Sequence, residues 1–139
     1  MRRILVALDG SPHANQVLAA ALDLANHTDG KLLLFRAVEV PTESAALAFS
    51  MPPSELEAQM QKAAAAALAD YTHKVPPERL EGARVGVGSP WRAICDAARE
   101  AAVDLIVVGS QGYGMVERIL GTTASRVVNH ADRSVLVVR

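Results

Sequence analysis

The chain has 139 residues, a net charge of −1 at pH 7, and hydrophobic side chains at half of its positions. This length suits one domain, residues 1–139, and the balanced charge gives no basic field for nucleic acid or for an anionic membrane. The single cysteine, Cys95, excludes an intrachain disulfide and fits a reducing compartment. No apolar run has the length of a signal peptide core or of a membrane span. We therefore expect a soluble, cytoplasmic protein.

The first half of the chain predicts two strands, each followed by a helix. Residues 4–8 and 32–38 are uniformly apolar and are expected to be buried strands. Ser11 and Pro12 predict the N-cap and first residue of the helix between them. Ser54 begins a Ser-x-x-Glu capping box, so the second helix is expected to start there. Its predicted apolar stripe consists of Leu56, Met60, Ala63, Ala67 and Tyr71.

The second half predicts three more strands with helices between them. Residues 83–87 and 105–108 are short apolar strands, and a Ser-Pro pair at Pro90 starts the helix that joins them. A last helix, Thr122–His130, precedes a last strand, Ser134–Val138. Strands that are apolar without alternation, joined by helical crossovers, predict an α/β fold: a doubly wound parallel sheet with helices on both faces.

A glycine-rich loop separates the fourth strand from the last helix. Glycines occupy positions 109, 112, 114 and 121, and Thr122 and Thr123 follow at the helix start. Glycines let a ligand approach the backbone, and the N–H groups of a helix start attract anions. In doubly wound sheets, ligands lie at the carboxyl ends of strands. That rule brings Asp9, residues 37–39 and Gly109 to one crevice.

The expected chemistry of this crevice is phosphate binding and not phosphoryl transfer. The chain has neither a P-loop nor a dinucleotide glycine motif after its first strand, and the glycine loop contains no lysine. A phosphate would be bound by backbone N–H groups, by the hydroxyls of Ser110, Thr122 and Thr123, by Arg118 and by a divalent cation. Asp9 could bind a ribose hydroxyl or an adenine amine, or it could only stabilise the turn after the first strand. In the same way, the glycines could only make a tight connection between the fourth strand and the last helix.

Other reactive side chains give weaker signals. The four histidines lack metal-ligand spacing. Cys95 has the helical spacing of a core thiol. The Gly-x-Ser-x-Gly motif of a nucleophilic serine is missing.

Four segments in order make the chain resemble the universal stress protein family. They are ILVALDGS at 4–11, LLLFRAVEV at 32–40, DLIVVGSQG at 104–112 and GTTASRVVNHADRSVLVVR at 121–139. The resemblance implies a five-stranded sheet of order 3-2-1-4-5 and a homodimer joined through the last strand, Ser134–Val138. It also implies either ATP binding, with Mg²⁺ or Mn²⁺ on the phosphates, or membership of the non-binding branch.

ATP-binding members carry G-x2-G-x9-G-[S/T] after the fourth strand. Gly109, Gly112, Gly121 and Thr122 match this pattern, but eight residues and not nine separate Gly112 from Gly121. One residue fewer shortens the loop by up to about 3.5 Å. The adenine nucleotide site that the resemblance implies comprises Ala7, Asp9, Ala37, Val38, Val108, Gly109, Ser110, Gly112, Gly121, Thr122 and Thr123.

Three functions remain open at this point. The chain could be a nucleotide-binding regulatory protein, a dimerisation and interaction module without nucleotide, or a true enzyme such as an ATPase or nucleotidyl transferase. We expect no enzyme, with slow ATP hydrolysis at most. Residues 41–53, with apolar side chains between prolines, could form a lid, add to a dimer surface, or be a disordered surface loop.

Overall fold

The computed structural model describes residues 2–40, 50–111 and 120–139. Its strands are Arg3–Ala7 (β1), Lys31–Val38 (β2), Leu80–Val87 (β3), Leu105–Gly109 (β4) and Ser134–Val138 (β5). Its α-helices are Ala14–Thr28 (α1), Pro53–Thr72 (α2), Pro90–Ala101 (α3) and Thr122–His130 (α4), and a 3-10 turn at Pro77–Arg79 precedes β3.

The strands form one parallel sheet in the order β3-β2-β1-β4-β5. This order and the doubly wound α/β class are as predicted. The order reverses beside β1, because the chain builds outward first through β2 and β3 and then returns to β4 and β5. The point of reversal opens a crevice at the carboxyl ends of the strands.

Two hydrophobic clusters sandwich the sheet. Val6 and Leu34 pack toward α1 and α2, whereas Leu5 and Phe35 pack toward α3 and α4. The side chains of Ile4, Leu5 and Val6 are all fully buried. A central parallel strand is covered on both faces, which is why its sequence is apolar without alternation.

Two helix starts differ from the sequence prediction. Helix α1 begins at Ala14 with His13 as N-cap, so Ser11 and Pro12 lie in the preceding turn. Helix α2 begins at Pro53, and no side-chain hydrogen bond caps it, so the capping box at Ser54 is wrong. The proline pair at this helix start supplies the extended N-cap and the preset φ of the first turn.

The buried face of α2 is also displaced from the predicted stripe. Ala64 and Leu68 are buried together with Leu56, whereas Ala63 is exposed. Residues 63–67 are all alanine, so the sequence there contains no periodic signal. No helix in the described part of the chain combines the length and the apolarity that a membrane span needs.

Candidate functional site

A cavity of about 360 Å³ opens at the predicted edge of the sheet. The ends of β1, β2 and β4 form its floor, and the starts of α3 and α4 form part of its wall. Small-molecule sites have volumes of about 300–1,000 Å³, so a compact ligand fits here.

Nine of the residues predicted from the sequence line this cavity. Val38 does not, because its side chain is buried, with 5% exposed, and points to the side of the sheet opposite to that of its neighbour Ala37. Gly112, with Gly114 and Arg118, lies outside the described residues, as does most of the segment 41–53. The nine lining residues are Ala7, Asp9, Ala37, Val108, Gly109, Ser110, Gly121, Thr122 and Thr123.

One wall of the cavity is apolar. Ala7 and Ala37 are small and leave space above the strand ends, while Phe35, Ile94 and Val108 form the buried surface around them. The sequence reasoning missed Phe35 and Ile94, which were assigned only to a strand and to a helix core. A wall of this kind suits the flat face of an aromatic ring.

The start of α4 forms another part of the wall. Gly121 is the N-cap in an extended conformation, without a side-chain cap and with no acidic residue in the first turn. Its N–H donates to the carbonyl oxygen of Ser110 at 2.6 Å, which joins the helix start to the end of β4. The first N–H groups of a helix lack intrahelical acceptors, and the helix dipole favours a negative charge beside them. Thr122, Thr123 and Ala124 present these groups at the cavity.

Ser110 places an unsatisfied hydroxyl at the same position. The residue is 2% exposed, and its Oγ has no hydrogen-bond partner within the described residues. Its backbone N–H donates to the Val138 carbonyl oxygen at 2.7 Å, so the main chain around it is held. A buried hydroxyl without a partner costs about 1–3 kcal/mol. This cost disappears when a ligand in the cavity completes the bond.

Asp9 stabilises its turn and still faces the cavity. Its Oδ1 accepts the backbone N–H of Ser11 at 2.9 Å, which is the structural role considered from the sequence. The side chain is also exposed and lines the cavity. A carboxylate has two oxygens with about four acceptor positions, so the turn leaves capacity for a ligand hydroxyl or amine.

Gly109 has a packing reason to be glycine. A Cβ at this position would lie 3.0 Å from His13 Cδ2 and 3.1 Å from Val17 Cγ2. The absence of a side chain therefore lets α1 approach β4. His13 Nε2 is 3.0 Å from the Val138 carbonyl oxygen, so this ring also connects α1 to the end of β5. Substituting Gly109 would disturb this packing whether or not a ligand binds.

Asp9 and Glu39, the latter within the predicted stretch 37–39, were placed at the crevice from the sequence, whereas Arg36 and His13 were missed. Arg36 and Glu39 line the cavity beside Asp9, and His13 lies near Gly109. Arg36 interrupts the apolar run of β2, and that interruption was a usable signal. Within the described residues, no group of three or more His, Cys, Asp or Glu side chains could hold a metal ion. Cys95 is buried in the core, and burial raises the pKa of its thiol.

The fold and the cavity define a doubly wound α/β protein with a crevice at the carboxyl ends of its strands. The model of the universal stress protein family matches residues 1–139. The chain belongs to the universal stress protein family, as its sequence resemblance predicted.

Individual relatives agree with this assignment over nearly the whole chain. Universal stress protein Sll1388 of Synechocystis sp. is 32% identical over 149 residues, which cover 99% of this chain and 97% of that protein. The structure of universal stress protein UspA from Lactobacillus plantarum is 27% identical, with a TM-score of 0.79 over 99% of this chain and 97% of its own. A universal stress protein solved in complex with cAMP is 23% identical and has a TM-score of 0.64 over 99% and 96% of the two chains. At that identity the last comparison shows a shared fold alone.

Proposed function

We propose that this universal stress protein is a small regulatory protein that binds an adenine nucleotide, with ATP as the first candidate. The observation that carries the proposal is the unsatisfied Ser110 hydroxyl beside the uncapped start of α4. Both groups line a cavity that also has an apolar part of its wall. A related structure contains cAMP, which is consistent with an adenine ligand in this fold.

The proposed ligand spans the carboxyl ends of three strands. Adenine lies against Ala7 and Ala37, the ribose hydroxyls lie near Asp9, and the phosphates lie at Ser110 and Thr122. Mg²⁺ or Mn²⁺ enters with the nucleotide, because phosphate oxygens supply most of the ligands that Mg²⁺ needs. Backbone N–H groups and hydroxyls then meet the remaining phosphate charge.

We further propose that the role is binding and not turnover. Phosphoryl-transfer sites of the P-loop and kinase types combine a phosphate-binding lysine with further cationic groups and a positioned base, and the described lining contains Arg36 but no lysine. ATP hydrolysis is expected to stay near the uncatalysed background. Turnover that disappears in the Thr122→Val variant would instead identify an enzyme. The buried thiol of Cys95 suits a reducing compartment, and we place the protein in the cytoplasm on that basis.

The proposal is tested by titration calorimetry of ATP with Mg²⁺. Wild type is expected to bind with a dissociation constant below 1 mM, about 4 kcal/mol of binding free energy or more. Asp9→Asn keeps an oxygen acceptor for the Ser11 N–H but removes the charge, and Thr122→Val removes one hydroxyl at nearly constant shape. Both variants are expected to bind more weakly, by about two- to tenfold.

The matched control is Thr72→Val, the same chemical change at the end of α2 and outside the cavity lining. It is expected to bind ATP as wild type does. Gly109→Val is unsuitable, because its side chain would displace α1. Millimolar or weaker binding by wild type would contradict the proposal, and so would equal losses in Thr122→Val and Thr72→Val.

A second candidate function is dimerisation through β5, with or without nucleotide. Strand β5 is an edge of the sheet, and Leu136 on it is 38% exposed. An edge strand with apolar side chains can pair with its copy across a two-fold axis.

The test for dimerisation compares two edge strands by sedimentation equilibrium. Leu136→Lys on β5 is expected to convert a dimer to a monomer. Val87→Lys is its control, because Val87 is 41% exposed on β3 at the other edge. A monomeric wild type, or a dimer that survives Leu136→Lys, would contradict pairing through Ser134–Val138.

A further inference from the structure

Arg36 is a charged side chain in an otherwise apolar stretch of β2 after Lys31, and it lines the cavity. Side chains alternate along a strand, so Arg36 shares the face of Leu34, toward α1. Its guanidinium lies against Gly10 in the turn after β1, where an added Cβ would be 2.7 Å from Nη1. Gly10 has a φ of +78°, so its backbone conformation favours glycine.

The guanidinium has no ion pair or hydrogen bond within the described part of the chain. Asp9 and Glu39 line the same cavity, but neither forms an ion pair with it. Arg36 is only partly exposed, and a guanidinium carries five N–H donors in a fixed planar fork. Such a fork matches the oxygens of a phosphate group, which it binds through two parallel hydrogen bonds.

The cavity thus has two places for an anion, one on each side of Asp9. The start of α4 follows β4, and Arg36 extends from β2 over Gly10. If the ribose lies at Asp9 and its 5′ phosphates at α4, Arg36 faces the other ribose oxygens. In doubly wound dinucleotide proteins, an arginine near the ribose-binding acid accommodates a ribose phosphate in this way.

Resting on the proposed adenine-nucleotide function, we propose that the preferred ligand carries a second phosphate on the 2′ or 3′ oxygen of its ribose and that Arg36 binds it. The 5′ phosphate occupies the start of α4, and the ribose phosphate occupies the fork of Arg36. Arg36 is therefore the specificity-determining residue: it favours such nucleotides over those that are phosphorylated at the 5′ position alone.

The experiment is a calorimetric comparison of AMP with adenosine 2′,5′-bisphosphate and adenosine 3′,5′-bisphosphate. Wild type is expected to bind one of the bisphosphates at least about tenfold more tightly than AMP, as charge-assisted, bidentate contacts allow. Arg36→Gln is expected to abolish that ratio, because it weakens bisphosphate binding much more than AMP binding. Arg36→Lys keeps the charge without the fork and is expected to retain part of the ratio.

Arg2→Gln is the matched control, with the same loss of charge at an exposed residue outside the cavity lining. It is expected to keep the wild-type ratio, and thermal unfolding verifies that each variant is folded. If wild type binds AMP as tightly as it binds both bisphosphates, the role of Arg36 is overturned, but the adenine-nucleotide function is not. A preference that survives Arg36→Gln, or an equal loss for AMP and bisphosphate, would also overturn it. A wild type that binds none of the three nucleotides would overturn the proposed function as well.

Discussion

Ser110→Ala is expected to change stability and binding in opposite directions. In nucleotide-free protein the Oγ is buried without a partner in the described structure, and removing it removes a penalty of about 1–3 kcal/mol. Taking about 1 kcal/mol, and an unfolding entropy of about 2.1 cal/mol/K per residue over 139 residues, Tm rises by about 3 °C. In the complex the same change removes a ligand hydrogen bond of about 0.5–1.5 kcal/mol, so ATP binds about two- to thirteenfold more weakly.

The assay is thermal unfolding of protein freed of nucleotide, followed by an ATP titration of the same samples. Ser54→Ala is the control, because Ser54 is exposed and makes no cap, so its effect on stability stays within about 0.5 kcal/mol. A nucleotide-free Ser110→Ala protein that is less stable than wild type would refute the reasoning. It would mean that the hydroxyl already has a partner, such as a bound water.

Three further predictions concern packing, reactivity and pH. Gly86→Ala places a Cβ 2.6 Å from a buried phenyl ring and should lower the free energy of unfolding in urea by about 1–3 kcal/mol. The control Gly82→Ala, whose Cβ has its nearest atom at 4.0 Å, should lower it far less. Equal losses in the two variants would contradict this packing. Burial raises the pKa of the Cys95 thiol, so a thiol reagent at pH 8 should label the native protein much more slowly than the urea-unfolded one. The Asp104 carboxylate accepts backbone N–H groups, first that of Arg3, and these bonds lower the pKa of Asp104 in the folded state. The ionised carboxylate therefore stabilises the fold at pH values above the pKa that Asp104 has in the unfolded chain. This stabilisation is lost as the pH falls through the lowered pKa of the folded state. Between about pH 5 and pH 2, wild type should therefore lose stability more steeply than Asp104→Asn, and parallel curves would contradict this.

Much of the fold was predictable because its signals are local. Uniformly apolar strands identified a sheet covered on both faces, and Thr122–His130 and Ser134–Val138 have their predicted bounds. The predictions were wrong where the local sequence fits more than one arrangement. Five consecutive alanines in α2 could not show which face is buried, and the Pro52–Pro53 pair, not Ser54, starts that helix.

The site was predictable where it follows the backbone and less so where it depends on side-chain direction. Ala37 and Val38 were assigned together, but neighbours on a strand face opposite sides, and Val38 is buried. Arg36 reaches the cavity only because its long side chain crosses to Gly10. The contact joins β2 to the turn after β1, so the sequence shows the charge within β2 but not where its side chain lies.

The central claim is that the cavity at the strand ends binds an adenine nucleotide. A ¹⁵N–¹H NMR titration with ATP and Mg²⁺ tests both the binding and its position. Saturation is expected below 1 mM ATP, with the largest shifts at the amides of Ala37, Ser110, Thr122 and Thr123. The claim would be contradicted by shifts that do not saturate below 1 mM. Saturating shifts confined to the open groove between α2 and β3, around Lys62, would contradict it as well.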